Sequence, residues 1–205
     1  MAGRNASEIR IAGTGRLYVA DVDTDLPAFG TGEAETDWAE WKDLGYTTSD
    51  GVTFGKKDKL EPIDAWQAVS PVHFVYSDRE LTLKFSLLQF NEDTLPFFMG
   101  GGTVKPVAGS TDVFTYDLAD YAQADPRALA LEFNDIKADG SADGVNTAVT
   151  YRIYIPRGQV TASDDIKLGR KAAAQLGITF TAMSSGDDQP LAKFLMQDGS
   201  YAATA

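Results

Sequence analysis

Along most of the chain apolar residues recur at every second position, the spacing of half-buried strands rather than of helices. The clearest run is Glu80 to Phe90, with Leu81, Leu83, Phe85 and Leu87 on one face and Thr82, Lys84 and Ser86 on the other. Ile9 and Ile11, then Leu17 and Val19 beyond Gly13-Thr14-Gly15, predict a hairpin near the start. Leu44 to Thr47 leads into the turn Ser49-Asp50-Gly51 and Val52-Thr53-Phe54 leads out, a second hairpin whose outgoing arm ends in a basic tip of Lys56, Lys57 and Lys59. Val72 to Tyr76 reads as a strand closed by a Ser77-Asp78 turn. Val113 to Leu118, Ala128 to Phe133, Thr147 to Ile155, Gln159 to Thr161, Leu176 to Met183 and Leu191 to Met196 supply the remaining strands.

Two segments depart from that period. Asn91, Asp93 and Thr94 are N-cap types, Pro96 suits a first turn, and Gly100-Gly101-Gly102 stops what they start. A short helix over 93–99 follows, packing Leu95, Phe98 and Met99 at spacings of three and four. Leu168 to Leu176 is Ala-rich and helical by propensity, but it lies between two β-patterned stretches and reads as a turn or short helix. The fold class is therefore mainly antiparallel β with one short packed α-helix, at a size that single sandwiches and barrels routinely reach. No linker composition or internal repeat divides the chain, so residues 1–205 are expected to form a single domain, a size at which one core can be buried.

Between Val22 and Glu40 there is no period, only acids, small residues, Pro27, Gly30 and Gly32, which makes about 21–40 a long acidic loop. Charge sharpens this. The net charge is −12, and nine acids between Asp21 and Asp50 against Lys42 alone hold −8 of it, whereas the first twenty residues are basic through Arg4, Arg10 and Arg16. A negative potential opposes tight binding to DNA phosphates or an anionic membrane, because such binding depends on Lys and Arg displacing counterions. The plainest reading of the acidic run is a solvated loop. Trp38 and Trp41, three apart, mark one helical turn or the start of the next strand.

Candidate chemistry is thin. With no Cys, the chain cannot form disulfides, thiolate metal sites or cysteine nucleophiles, and with a single His it cannot assemble a multi-histidine metal site within one subunit. No metal or cofactor is expected. His73 alternates along a strand without a G-x-S-x-G elbow elsewhere, so it reads as a packed or surface residue rather than a catalytic base. Asp139-Gly140-Ser141-Ala142-Asp143-Gly144 opens like a calcium loop, but the twelfth position, which should be a bidentate Glu, is Thr150. A β-turn is the better reading. Gly13-Thr14-Gly15 and Gly100 to Gly102 are not phosphate cradles, since the first opens a strand and the second ends a helix. Neither a secretory leader nor a membrane-length apolar run is evident, so a soluble cytoplasmic product is expected, and without export the Asn5-Ala6-Ser7 sequon carries no weight.

The order of segments resembles the major tail protein, or tail tube protein, of long-tailed siphophages, in the form carried by actinobacterial phages. The residues that carry the resemblance are Trp41 to Thr47 with Asp50 to Phe54, Glu80 to Gln89 with Asn91 to Leu95, Gly100 to Gly102, Ile155 to Thr161, and Leu176 to Ala182. It spans about Trp41 to Ala182, and the acidic stretch before it has no counterpart in the pattern. The resemblance implies a structural, non-enzymatic β-sandwich subunit that assembles with itself into hexameric rings, stacked into the conduit through which the genome leaves the capsid. Its implied partners are tape measure, tail terminator and distal tail proteins, with double-stranded DNA passing without specific binding. Its implied location is the virion tail, with assembly in the host cytoplasm.

A ring turns open sheet edges, normally an aggregation liability, into its interfaces. The polar row Thr82, Lys84 and Ser86 is the candidate lumen face, and an acidic lumen would let DNA slide. Candidate inter-ring contacts join Asp21, Asp23, Asp25, Glu33 and Glu35 to Lys56, Lys57 and Lys59, with charge setting polarity and register. Two other classes fit the same pattern: a noncatalytic sandwich module binding carbohydrate or protein through Trp38, Trp41 and Trp66, and, less well, a small jelly-roll hydrolase using two acids.

Overall fold

The computed structural model of the protein describes residues 9–29, 38–121, 123–136, 148–186 and 189–197. The strands are β1 (Ala12–Ala20), β2 (Lys42–Asp43), β3 (Thr53–Ile63), β4 (His73–Leu87), β5 (Val104–Pro106), β6 (Phe114–Tyr116), β7 (Arg127–Ile136), β8 (Ala148–Ser163), β9 (Leu176–Ala182) and β10 (Lys193–Gln197), with helix α1 (Thr94–Met99) between β4 and β5. All pairings between them are antiparallel.

β8 is the strand on which the architecture turns. Its first half lies between β7 and β10, and its second half, from Gly158 to Ser163, pairs with β9. The sheet, running β2-β1-β7-β8-β9-β4-β3, thus folds over on itself at β8. One layer is β2-β1-β7-β8-β10 and the other is β8-β9-β4-β3. Between them lies one core, to which Leu17, Val19, Leu129, Leu131, Ile153 and Ile155 come from the first layer and Leu81, Leu83, Phe85, Leu87, Ile178 and Phe180 from the second. Phe97 and Phe98 of α1 complete it, with the Phe97 ring 6.0 Å from that of Phe180. This is an antiparallel β-sandwich with one short packed helix: the period-two pattern gave the antiparallel β class, and the resemblance implied the sandwich.

Several predicted turns are instead irregularities inside longer strands. Gly13 bulges out of β1, which runs on through the predicted hairpin, and Ser77 bulges out of β4, which runs through the predicted Ser77-Asp78 turn. In both cases a continuous partner strand pairs on either side of the extra residue, so the chain kinks without reversing. The break expected around Pro156 is likewise absent. Pro156 and Arg157 fall in a register shift between Leu129 and Arg127, where a missing N–H costs no ladder bond. The Ser49-Asp50-Gly51 turn forms, with Gly51 N–H donating to Thr48 O, but Thr47 and Thr48 pair with the end of β4, not with the strand leading out. Leu168 to Leu176 is a turn, closed by a bridge between Gly169 and Ala172.

The helix begins one residue after the expected start, and its buried face is Thr94, Pro96, Phe97 and Phe98. Met99, expected in the core, is exposed. Six residues make less than two turns, so the face is set by how Asn91 Oδ1 takes the Asp93 and Thr94 N–H groups rather than by extended helical periodicity. The calcium-like segment 139–144 lies outside the described residues.

Candidate assembly interface

The row Thr82, Lys84 and Ser86 lies opposite the buried Leu81, Leu83, Phe85 and Leu87 on β4, so the register of the two faces is the predicted one. Across the ladder these residues stand beside Thr181, Thr179 and Gly177 of β9, and beside Gly55 and Thr53 of β3. Thr161 on β8 extends the row through a 2.7 Å hydroxyl contact with Thr181. The outward face of the β8-β9-β4-β3 layer is thus hydroxyl-rich with the single ammonium of Lys84 among these residues. Carboxylates border it: Glu80, paired with Lys57, continues the row along β4, and Asp164 and Asp165 lie beside Ser86 and Gly177. The acids of the 21–50 stretch lie elsewhere.

Asp21, Asp23 and Asp25 are exposed along the first described part of the acidic stretch, while Leu26, Trp38 and Trp41 turn toward the sheet. Trp38 stacks on Tyr18 at 3.9 Å and meets Trp41 edge-on at 5.8 Å, and Trp41 meets Tyr154 at 6.0 Å. Backbone carbonyls finish the docking. Trp41 Nε1–H donates to Asp25 O, Tyr154 O–H donates to Thr24 O at 2.8 Å, and Arg152 Nη1–H donates to Pro27 O at 2.6 Å. Asp23 holds a left-handed backbone at φ 61° so that its N–H reaches Pro156 O. Segments 21–29 and 38–41 therefore form a strap over the outer face of β1, β7 and β8. The solvated-loop reading fails for these residues, because aromatic rings and main-chain groups dock them, together with one carboxylate, that of Asp21, which accepts from Arg127 Nη1–H of β7. Glu33 and Glu35 lie outside the described residues.

Arg152 is the strap's anchor. It is 2% exposed, its Nε is 2.6 Å from Glu132 Oε2, and its guanidinium lies 4.3 Å from the Phe29 ring centroid and 5.0 Å from that of Trp38. A buried charge held by a carboxylate, a carbonyl and two ring faces is compensated on every side. Burial, with Asp23 and Asp25 nearby, pushes the Tyr154 hydroxyl up to about 12.

Lys56, Lys57 and Lys59 are not at a tip. They lie along β3 with carboxylates of the same hairpin: Lys56 with Asp58 at 2.7 Å, Lys57 with Glu80 at 3.7 Å, and Lys59 with Glu61 at 3.0 Å. Arg79 also grips Asp58, and it and Lys56 hold that carboxyl down to about 2.

The feature missed in the sequence is the hairpin itself. β3 and β4 pair from Thr53–Lys84 to Ile63–His73, but only Thr53 to Gly55 lies beside the β4 residues that also pair with β9. Beyond them the two strands extend as a bare ribbon. Leu60, Ile63, Trp66, Val69, Val72, Phe74, Val75 and Tyr76 are all exposed there, Trp66 to 98%. The signal was present in Val72 to Tyr76, where apolar residues occupy both parities, a pattern suited to a strand covered on both faces. His73 stands exposed on this arm, and Trp66 is at its turn. Trp38 and Trp41 are packed, so the three tryptophans form no common platform.

Among the described residues no group of three or more His, Asp or Glu is placed to hold a metal ion, and no helix is long and apolar enough to cross a membrane. Comparison with curated proteins finds no match. The family model described as phage tail tube protein, in contrast, matches residues 2–205, nearly the whole sequence. The chain belongs to the phage tail tube protein family.

Proposed function

We propose that this protein is a noncatalytic subunit of a non-contractile phage tail tube, in which hexameric rings stack into the conduit for genome ejection. Family membership gives it a tail tube structural role in the virion. The finer reading is carried by the exposed β3–β4 arm. A two-stranded ribbon is marginal in water on its own. One with eight large apolar side chains exposed needs a partner surface, and assembly is what supplies one. Burying each half-exposed side chain contributes roughly 1 kcal/mol. That total is comparable with the association cost of ordering one subunit on another, about 4–15 kcal/mol.

The layer β8-β9-β4-β3 supports the ring. Its path ends at β3, whose second edge has no strand on it among the described residues, and strand pairing between neighbours would close such layers into a barrel. Thr82, Lys84 and Ser86 would then face the lumen. A hydroxyl surface with sparse cations offers DNA phosphates few counterion-releasing contacts, which suits passage without binding. Asp23 and Asp25 on the strap would form part of the stacking rim toward neighbouring cations, with Glu33 and Glu35 as further acids of the same stretch, and Asp21 would join them only in competition with its own Arg127. Lys56, Lys57 and Lys59 would act there only in competition with their own carboxylates. We place residues 1–205 in one tube-forming unit, assembled in the host cytoplasm, with the tape measure, tail terminator and distal tail proteins as its tail partners.

Electron microscopy of the assembled protein tests this reading. Six-fold rings with the Thr82 row toward the axis are expected. A monomer at every concentration, or a ring with that row outermost, would overturn it.

A further inference from the structure

We infer that the outer face of the β2-β1-β7-β8-β10 layer carries a groove that binds a neutral saccharide, with Tyr46 as the platform on which a sugar ring stacks. The site goes beyond the tube role. Only its place on the tube exterior rests on that reading, since the groove opens on the face of the sandwich opposite the Thr82 row.

The groove exists because β2 is short. β2 pairs with β1 only at Tyr18 and Val19, and once Leu44 N–H has donated to Leu17 O the chain leaves β1 and crosses to the end of β4. From Thr14 to Arg16, β1 therefore has β7 on one side and, among the described residues, no strand on the other. The space left open has a volume of about 830 Å³. Sites for small molecules run from roughly 300 to 1,000 Å³.

The lining selects the ligand. Across the β1–β7 ladder Arg16 stands opposite Glu132 and Thr14 opposite Asn134, on the face away from Leu17 and Leu131 in the core, while Asp43 and Tyr46 form the other bank. Asp43 offsets the charge of Arg16, and Glu132 is offset by buried Arg152, whose Nε lies 2.6 Å from it. In a chain of net charge −12 this groove is thus formally neutral, which argues against an ionic ligand. Donors and acceptors stand side by side. Asn134 Oδ1 accepts from the Thr150 hydroxyl at 3.0 Å, which orients its amide N–H groups as donors. Asp43 Oδ1 accepts from Gly45 N–H at 2.7 Å, and a carboxylate has lone pairs for further bonds. The Arg16 guanidinium lies beside the Tyr18 hydroxyl, whose ring is fixed by its stack on Trp38. Sugar hydroxyls both donate and accept, so they match such a mixture.

Tyr46 completes the match. Its ring is 75% exposed although its backbone is pinned, with its N–H donating to Gln89 Oε1 at 3.1 Å and its carbonyl accepting from Leu88 N–H at 2.9 Å. A large ring held in water on a fixed backbone presents an apolar face with little ordering cost left to meet, and the C–H face of a pyranose is its complement. The rival occupant is a peptide strand laid along the open edge of β1. Strand addition takes its specificity from pockets for alternate side chains, whereas this lining is built of charged, amide and hydroxyl groups.

The test is saturation-transfer NMR with maltotriose, cellotriose and chitotriose, each mixed with dispersed subunits and with assembled tubes of the full chain. At least one trisaccharide is expected to bind both forms, with an affinity that does not change between about 50 and about 500 mM sodium chloride. Tyr46→Ala should weaken that binding about tenfold without lowering the melting temperature, and Tyr46→Phe, which keeps the ring, should restore most of it. Arg16→Ala should weaken it as well. No binding of any of the three by subunits, or binding that Tyr46→Ala leaves unchanged, would overturn the site. Binding by subunits but not by tubes would overturn the exterior placement in favour of a groove filled by another copy of the chain. An unmodified chain that binds as subunits but never forms tubes would sink the tube reading and leave the saccharide site standing.

Discussion

Replacing Gly158 by Ala should damage the fold more than its single added methyl suggests. Gly158 sits where β8 passes from one layer to the other, paired with Arg127 of β7 on one side and Ala182 of β9 on the other. A Cβ there would collide with the Phe180 ring and stand 2.6 Å from the Thr181 carbonyl oxygen. The ring could turn aside only within a core where Phe180 is fully buried, and the carbonyl belongs to a paired strand, so neither obstacle yields cheaply. Overpacking of this kind costs about 3 kcal/mol. At roughly 2–4 °C per kcal/mol for a chain of this length, the melting temperature should fall by about 6–12 °C. Gly169→Ala is the control: nothing lies within 4 Å of its added methyl, and its cost should stay below about 0.5 kcal/mol. Adding Phe180→Leu removes the ring collision but not the carbonyl one, so the double variant should be about 1 kcal/mol more stable than the sum of its parts. The assay is thermal unfolding of dispersed subunits followed by far-ultraviolet circular dichroism. If Gly158→Ala melted together with Gly169→Ala, the folding-over of the sheet at β8 would be refuted.

Four other outcomes are expected. Phe98→Ala, which empties a buried site on α1, should cost about 3–5 kcal/mol, whereas Met99→Ala should cost under about 1 kcal/mol; both are read by urea denaturation. Glu132→Gln takes the carboxylate from buried Arg152 and should destabilise by about 3 kcal/mol, with faster limited proteolysis of the strap as the second readout. Because the Asp58 carboxyl is held down to about 2, its contribution to arm rigidity is present above its ordinary 3.8 and is lost as pH falls through about 2. Carbon-detected NMR titration should find Arg79→Ala moving it back toward 3.8. The Tyr154 hydroxyl, raised by burial from 10.0 to about 12, should make stability fall as pH rises from 10 toward 12, and Tyr154→Phe should remove that decline in alkaline melts.

Much of the fold was legible in the residue pattern, for identifiable reasons. Leu81, Leu83, Phe85 and Leu87 alternate with polar residues because β4 there has core on one face only, and alternation reports one-sided burial faithfully. The same rule misread Gly13 and Ser77 as turns, since a bulge and a turn use similar residues and only the partner strand distinguishes them. The acidic stretch misled in another way. Its many carboxylates dominate the composition, yet Trp38, Trp41 and the Thr24, Asp25 and Pro27 carbonyls dock it, and backbone carbonyls leave no trace in a sequence. The proposed assembly surface was half legible in its geometry. The polar row of β4 could be read from its period, but the exposure of Leu60 to Tyr76 depends on β3 and β4 outrunning β9, a matter of relative strand length in three dimensions.

The central claim, that the bare arm drives tube assembly, is tested most directly by sedimentation of the purified full chain at rising concentration beside a chain whose residues 60–76 are replaced by a two-residue turn. The account predicts that the unmodified chain passes from subunits and rings into long, fast-sedimenting stacks, while the shortened chain keeps its melting temperature but stops at rings or below. Stacks of equal length formed at equal concentration by the shortened chain would contradict it.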